Sequence, residues 1–280
     1  MTTEEFLIGA DKLSVKKLCR DTMCINEKGG NNTKANLQES IGFNCEESID
    51  KFDSFFKNLD FLLEETLSLK GTFKDKYKNL PNKSEVNKIF KNIYRISKLI
   101  RNAERHNEKS ISYNGSILEI EYSYCATDFF LKIDKDAFCF LEEIIYEFVF
   151  LYDNGYSEKY QELLLGNFYE LVKKHFYLSE FKDDISEPFF DVKPCPKVNT
   201  VRRSSCRGLE YSVLETRLVF NVPSNVIPNS VNVEKYFGVD IWVNIQGKDY
   251  IFPSEILDKD YSISLDEIEK FVMEKYAGWL

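Results

Sequence analysis

A chain of 280 residues with 43% hydrophobic and 30% charged residues has ordinary globular composition, which excludes disorder and allows one large domain or two smaller ones. The net charge of −9 excludes a protein coated all over for polyanion binding. Seven cysteines, scattered at 19, 24, 45, 125, 139, 195 and 206 without a Cys-x-x-Cys, and only two histidines argue against a disulfide framework or a zinc site, so reduced thiols, no metal and no cofactor are expected.

The first residues, Met1-Thr2-Thr3-Glu4-Glu5-Phe6, have neither the basic nor the apolar region of a secretory leader. No stretch has the roughly 18 apolar residues of a membrane span. A cytoplasmic location is therefore expected. A short amphipathic helix is predicted over 3–20, followed by a polar loop around Gly29-Gly30-Asn31-Asn32. Ile49, Phe52, Phe56, Leu59, Leu63 and Leu67 recur at helical spacing and predict a helix from about Glu46 to Lys70, stopped by Gly71. Pro81 and Ser84 open a further helix over 85–106, with Ser84 as N-cap.

Asn114-Gly115 between apolar runs predicts a hairpin whose strand continues through Ile120, Tyr122 and Tyr124. Helices are predicted at 135–153 and from Ser157 to Tyr177. Asp183, Asp184 and Glu187 lead into Pro188, Pro194 and Pro196, which read as a linker. Beyond it, strands are predicted at Leu218–Val222, Val239–Ile245 and Tyr250–Phe252, with Gln246-Gly247 as a turn. Ser264-Leu-Asp-Glu267 is a capping box for a last helix reaching Tyr276. The expected organisation is a mainly α protein: a helical domain over 1–182 with a β-hairpin insert, then a smaller α+β domain over 190–280.

Charge singles out the 85–106 helix. Residues 74–109 hold eleven Lys/Arg against four Asp/Glu, a local +7 that leaves −16 elsewhere. At 100° per residue, Ile89, Ile93, Ile96, Leu99, Ile100 and Ala103 form an apolar side. Lys88, Lys91, Arg95, Lys98, Asn102 and Arg105 form a stripe opposite, with His106 at its edge. Like charges so spaced repel unless an anion neutralises them, so Lys88, Lys91, Arg95, Lys98 and Arg105 are expected to grip an RNA backbone. His106 can move a proton near neutral pH, Arg101 offers a planar fork to phosphate, and Asn102 lies one turn before His106. Arg101 stands about 140° from His106 on an ideal helix, so both can serve one phosphate only if the helix frays near His106 or the site is shared across a two-fold axis, and the shared site is expected.

Arg101-Asn102-x-x-x-His106 at the end of a helix resembles the R-x4-6-H motif of the HEPN superfamily (higher eukaryotes and prokaryotes nucleotide-binding). The resemblance covers about residues 40–155. It implies a helical-bundle fold, Arg101, Asn102 and His106 as catalytic residues, a homodimer, and metal-independent RNA cleavage through the ribose 2′-OH. Such proteins act in bacterial antiviral defence, abortive infection and toxin–antitoxin systems, so an antitoxin or other defence protein is an implied partner. Some family members only bind or scaffold, which is the alternative function.

Other candidates read more plainly. His175 is expected as a core-edge or surface histidine. Asp240, Gln246 and Lys248 resemble a metal-nuclease arrangement only faintly, because Gln246 lies in the turn itself. Glu142/Glu143 and Glu64/Glu65 are expected as exposed-face residues, and Arg202, Arg203 and Arg207 as a solvated basic loop.

Overall fold

The computed structural model describes residues 1–13, 19–24, 45–106, 110–200, 202–222 and 238–274. It corrects the mainly α expectation: the fold is mixed α/β, with three small sheets beside the helices among the described residues. Helix α1 spans Thr3–Lys12 and is closed by a capping box from Thr2 and Glu5. Where the expected helix was to run on to residue 20, Cys19–Cys24 instead forms strand β1. Helices α2 (Cys45–Leu67) and α3 (Phe73–Asn79) follow. Ser68 takes the left-handed backbone (φ 54°) that ends α2, and Thr72 with Asp75 caps the unanticipated α3.

Helix α4 occupies Glu85–His106 as the sequence predicts, and the Asn87 amide donates to Ser84 Oγ at 3.2 Å. Strands β2 (Ile111–Asn114), β3 (Ile117–Tyr124) and β4 (Thr127–Asp134) form an antiparallel meander. The predicted hairpin forms with Gly115 (φ 64°) as its first corner residue. The β3–β4 turn carries no glycine or asparagine: Cys125 and Ala126 both adopt positive φ there, which is why β4 has no local sequence signal. Helices α5 (Lys135–Asp153) and α6 (Glu158–Lys174, capped by Ser157) complete the helical layer.

Strands β5 (Arg202–Arg207), β8 (Gly238–Ile245) and β9 (Lys248–Pro253) build a second sheet in the order β1-β5-β8-β9. β1, β5 and β8 run parallel, and β9 returns antiparallel. Thus a strand from the first 24 residues forms the edge of a sheet otherwise built from residues 202–253. Strands β6 (Tyr211–Leu214), β7 (Arg217–Phe220) and β10 (Ser262–Ser264) form the third sheet, in the order β10-β7-β6. The capping box at Ser264 does open helix α7, but it spans only Leu265–Ile268 before tightening into a 3-10 turn.

The core is aromatic. Phe52, Phe55 and Phe56 of α2, Phe90 and Tyr94 of α4 and Phe148 of α5 are all buried, with the Phe90 and Phe148 rings stacked at 4.1 Å. Every residue of α4 from Ile89 to Ile100 is buried. That requires a cover over its polar side, and the expected linker supplies it. Residues 183–193 run along α4 against its direction. The Lys98 ammonium meets Asp184 Oδ1 at 2.5 Å. Arg95 donates to both Asp183 carboxylate oxygens (2.7 and 2.8 Å) and to the carbonyls of Ile185 and Glu187. The Asn92 amide both donates to the Phe190 carbonyl and accepts from its N–H, and Glu85 accepts from the Lys193 amide.

Arg95 is 4% exposed and lies 4.5 Å over the Phe189 ring. Burial alone would loosen the guanidinium's proton, but Asp183 outweighs that and raises the pKa further. Removing one member of a buried, hydrogen-bonded ion pair leaves the other charge stranded. Arg95→Ala is therefore expected to lower the unfolding free energy by roughly 3–5 kcal/mol, read from denaturant unfolding. A loss within the error of that measurement would show that the strap does not hold the fold.

Candidate functional site

The Arg101–His106 segment forms the last turn and a half of α4, and the helical backbone is unbroken through His106. Arg101 projects toward α2 and α3. Its Nε lies 3.6 Å from Asp53 Oδ1 and its guanidinium carbon 4.5 Å from the centroid of the Phe73 ring. One terminal nitrogen donates to Asn102 Oδ1 at 3.2 Å. With a side chain 17% exposed, Arg101 sits at the rim rather than inside the core. Arg101 and Asn102 are thus in direct contact. The side chains of Arg105 and His106 lie outside the described residues.

Of the residues expected to grip RNA, most face inward, and the expectation of a solvent-facing stripe is corrected. Lys98 is 2% exposed and paired with Asp184. Arg95 is consumed by Asp183 and two carbonyls of the strap. Lys91 is buried, and among the described residues it forms no ion pair with a carboxylate. It donates to the Leu80 carbonyl at 2.9 Å, where α3 ends, and lies 4.9 Å over Tyr77 and 5.2 Å over Phe190. That burial pushes its pKa down. Lys88 is half-buried and pairs with Glu85 one turn earlier at 2.8 Å. Below the stripe, Lys76 is buried between Asp60 and Glu64 of α2. A helical projection gives the angle between side chains but not what covers each one, and here the counter-charges come from chain 85–90 residues away.

The remaining candidates also resolve. His175 caps the C-terminus of α6, and its Nδ1 lies 2.5 Å from Asp134 Oδ2. The other Asp134 oxygen accepts from the Ala137 amide at the start of α5, so the pair knots β4, α5 and α6 together at the core's edge. Asp240 is buried and committed: Arg203 Nε donates to it at 2.9 Å and the Tyr160 hydroxyl at 3.0 Å. Gln246 and Lys248 lie at the far end of that hairpin, where Ile245 pairs with Lys248 while Asp240 pairs with Pro253. The metal-nuclease arrangement is therefore not assembled from these residues.

The basic group at 202–207 is a strand and not a loop. Arg203 is fully buried between Asp240 and Glu255, both of which hold its proton against the opposing effect of burial. Arg207 lies over the Trp242 ring at 3.8 Å. Among the described residues, Cys125, Cys139, Cys195 and Cys206 form no disulfide.

The exposed-face reading of Glu142 and Glu143 is overturned, for both are buried in α5. Glu142 meets Lys51 of α2 at 3.7 Å, while its other carboxylate oxygen has no hydrogen-bond partner among the described residues. Burial outweighs the Lys51 ammonium and pushes the Glu142 carboxyl up to about 7. Folding therefore takes up a proton at this position between the ordinary carboxylate pKa and about 7. Any contribution from Glu142 falls as pH rises through that window and stays low above it. Glu142→Gln, which removes the ionisation, is expected to raise stability at pH 8 by about 2–3 kcal/mol, and to change it little at pH 4. Urea unfolding at both pH values checks this, and an equal effect at both would refute it.

No protein-family model matches this chain, and neither a curated protein nor a solved structure matches it significantly.

Proposed function

We propose that this protein is a metal-independent endoribonuclease acting through Arg101, Asn102 and His106. The observation that carries the reading is the contact of Arg101 with Asn102 at the rim of the last turn of α4, on a continuous helix with His106. Asp53 and Phe73 orient the guanidinium, so it does not lose a long side chain's freedom when a phosphate arrives. The His106 imidazole takes the proton of a ribose 2′-OH. The 2′ oxygen then attacks the adjacent phosphorus, the bond to the 5′ oxygen breaks, and a second imidazolium protonates the leaving oxygen. Arg101 neutralises the charge that develops on the phosphate. The products are a 2′,3′-cyclic phosphate and a 5′-OH.

The 140° between Arg101 and His106 on an unbroken helix supports a site shared by two copies, one supplying the guanidinium and the other the imidazole. Among the described residues no helix is long and apolar enough to cross a membrane. That agrees with action on cytoplasmic RNA, and a bacterial defence or toxin setting with a restraining antitoxin follows from the motif resemblance. A second reading, a non-catalytic scaffold that binds RNA or a partner protein, is favoured by one observation. Arg101 already has an internal anion in Asp53.

Incubation of RNA in EDTA with wild type, Arg101→Ala and His106→Ala separates the two. The enzyme reading expects cyclic-phosphate ends and a rate lower by about 10²-fold or more in each variant. Equal cleavage by all three proteins would end it. RNA retention without cleavage by wild type would select the scaffold.

A further inference from the structure

Among the described residues, strand β6 is the outer strand of its three-stranded sheet, and all four of its residues are exposed. Its partners in β7 are not: Leu218 and Phe220, opposite Val213 and Tyr211, are buried. Paired residues of adjacent strands share a face, so Val213 and Tyr211 lie on the row that faces the core. Val213 is nevertheless 56% exposed, and Leu214 on the opposite face 58%. The apolar inner face of the sheet therefore runs past the edge of the core that should cover it. Such an edge is a template for another strand.

The register fixes which backbone groups are offered. Leu214 and Arg217 flank the two-residue turn and form a hydrogen-bonded pair, as do Glu210 and Asn221, where the Asn221 amide donates to the Glu210 carbonyl at 2.9 Å. In an antiparallel ladder the intervening residues point their N–H and C=O the other way. Tyr211 and Val213 therefore present two amides and two carbonyls outward, with no partner among the described residues.

We infer that β6 pairs antiparallel with β6 of a second copy of this chain, about a two-fold axis at Ser212. In this register each Tyr211 lies opposite the other copy's Val213, and the four outward groups of each strand are satisfied. The aromatic and β-branched side chains pack as a favourable cross-strand pair over the uncovered inner face. Ser212 faces its own copy, Glu210 faces Leu214, and Glu215 faces Leu209, so no like charges oppose one another. The two three-stranded sheets become one six-stranded sheet. This contact involves none of Arg101, Asn102 or His106 and stands independently of RNA cleavage.

At Ser212 the two chains meet as a non-hydrogen-bonded pair, with Cα atoms about 4.5 Å apart, inside the range a disulfide spans. In a Cys125→Ser background, Ser212→Cys is expected to form a disulfide-linked dimer under mild oxidation several-fold faster than Leu214→Cys, which faces Glu210. By sedimentation velocity, wild type is expected to show, as its concentration rises, an association step that depends on β6. Val213→Lys, which sets an ammonium against Tyr211, is expected to lose one association step relative to wild type with an unchanged circular dichroism spectrum. A wild type that is monomeric throughout, or equal cross-linking by the two cysteine variants, would overturn the inference. If Val213→Lys unfolds, the cross-linking comparison alone decides.

Discussion

The rest of the structure depends on the neutralisation of charges inside the protein, along the side of α4 that faces residues 183–193. A guanidinium and two ammonium groups are removed from water there, which is unfavourable by several kcal/mol per ion unless each finds oxygen partners. Each does, but by different chemistry. Arg95 binds a carboxylate through Nε and Nη2 and strap carbonyls through Nη1 and Nη2, Lys98 meets a carboxylate, and Lys91 caps the carbonyl end of α3 beneath two aromatic rings. Replacing water so completely requires the strap to lie in one place. Its position in turn seals α4 between α2, α5, α6 and the meander of β2–β4.

The same logic recurs where the chain's later residues join its earlier ones. Arg203 of β5 is fully buried and reaches Asp240 of β8 and Glu255 beyond β9, while Tyr160 of α6 donates to the other Asp240 oxygen. An added Cβ at Gly238 would come within 2.4 Å of the Arg203 guanidinium, so glycine at this position keeps room for the charge. Together with β1 in the sheet of β5, β8 and β9, these contacts tie the segments on either side of the proline-rich stretch.

Much of the helical layer was legible because its signals are local. The limits of α4 and α5 follow from apolar periodicity and, for α4, the Ser84 cap, and the corner at Gln246-Gly247 from turn chemistry. What was not legible depends on partners remote in sequence. β1 and β5 are parallel neighbours separated by some 180 residues, and β4 follows a Cys-Ala corner with no turn signature. Glu142 and Glu143 look like surface residues by type and are buried by context. The candidate site divides in the same way. The motif and its place at a helix end could be read directly, and so could the adjacency of Arg101 and Asn102. The inward direction of Lys91, Arg95 and Lys98 could not, because Asp183 and Asp184 gave no sign that they were counter-ions rather than linker residues.

The strap also has a consequence in time. A chain made from its N-terminus completes α4 long before it completes residues 183–193, and helices form far faster than contacts between distant segments. Throughout that interval Arg95 and Lys98 lack the strap carboxylates that neutralise them in the folded protein. Order of synthesis therefore separates these cations from their carboxylates, and only closure of the strap by Asp183 and Asp184 neutralises them from within the chain.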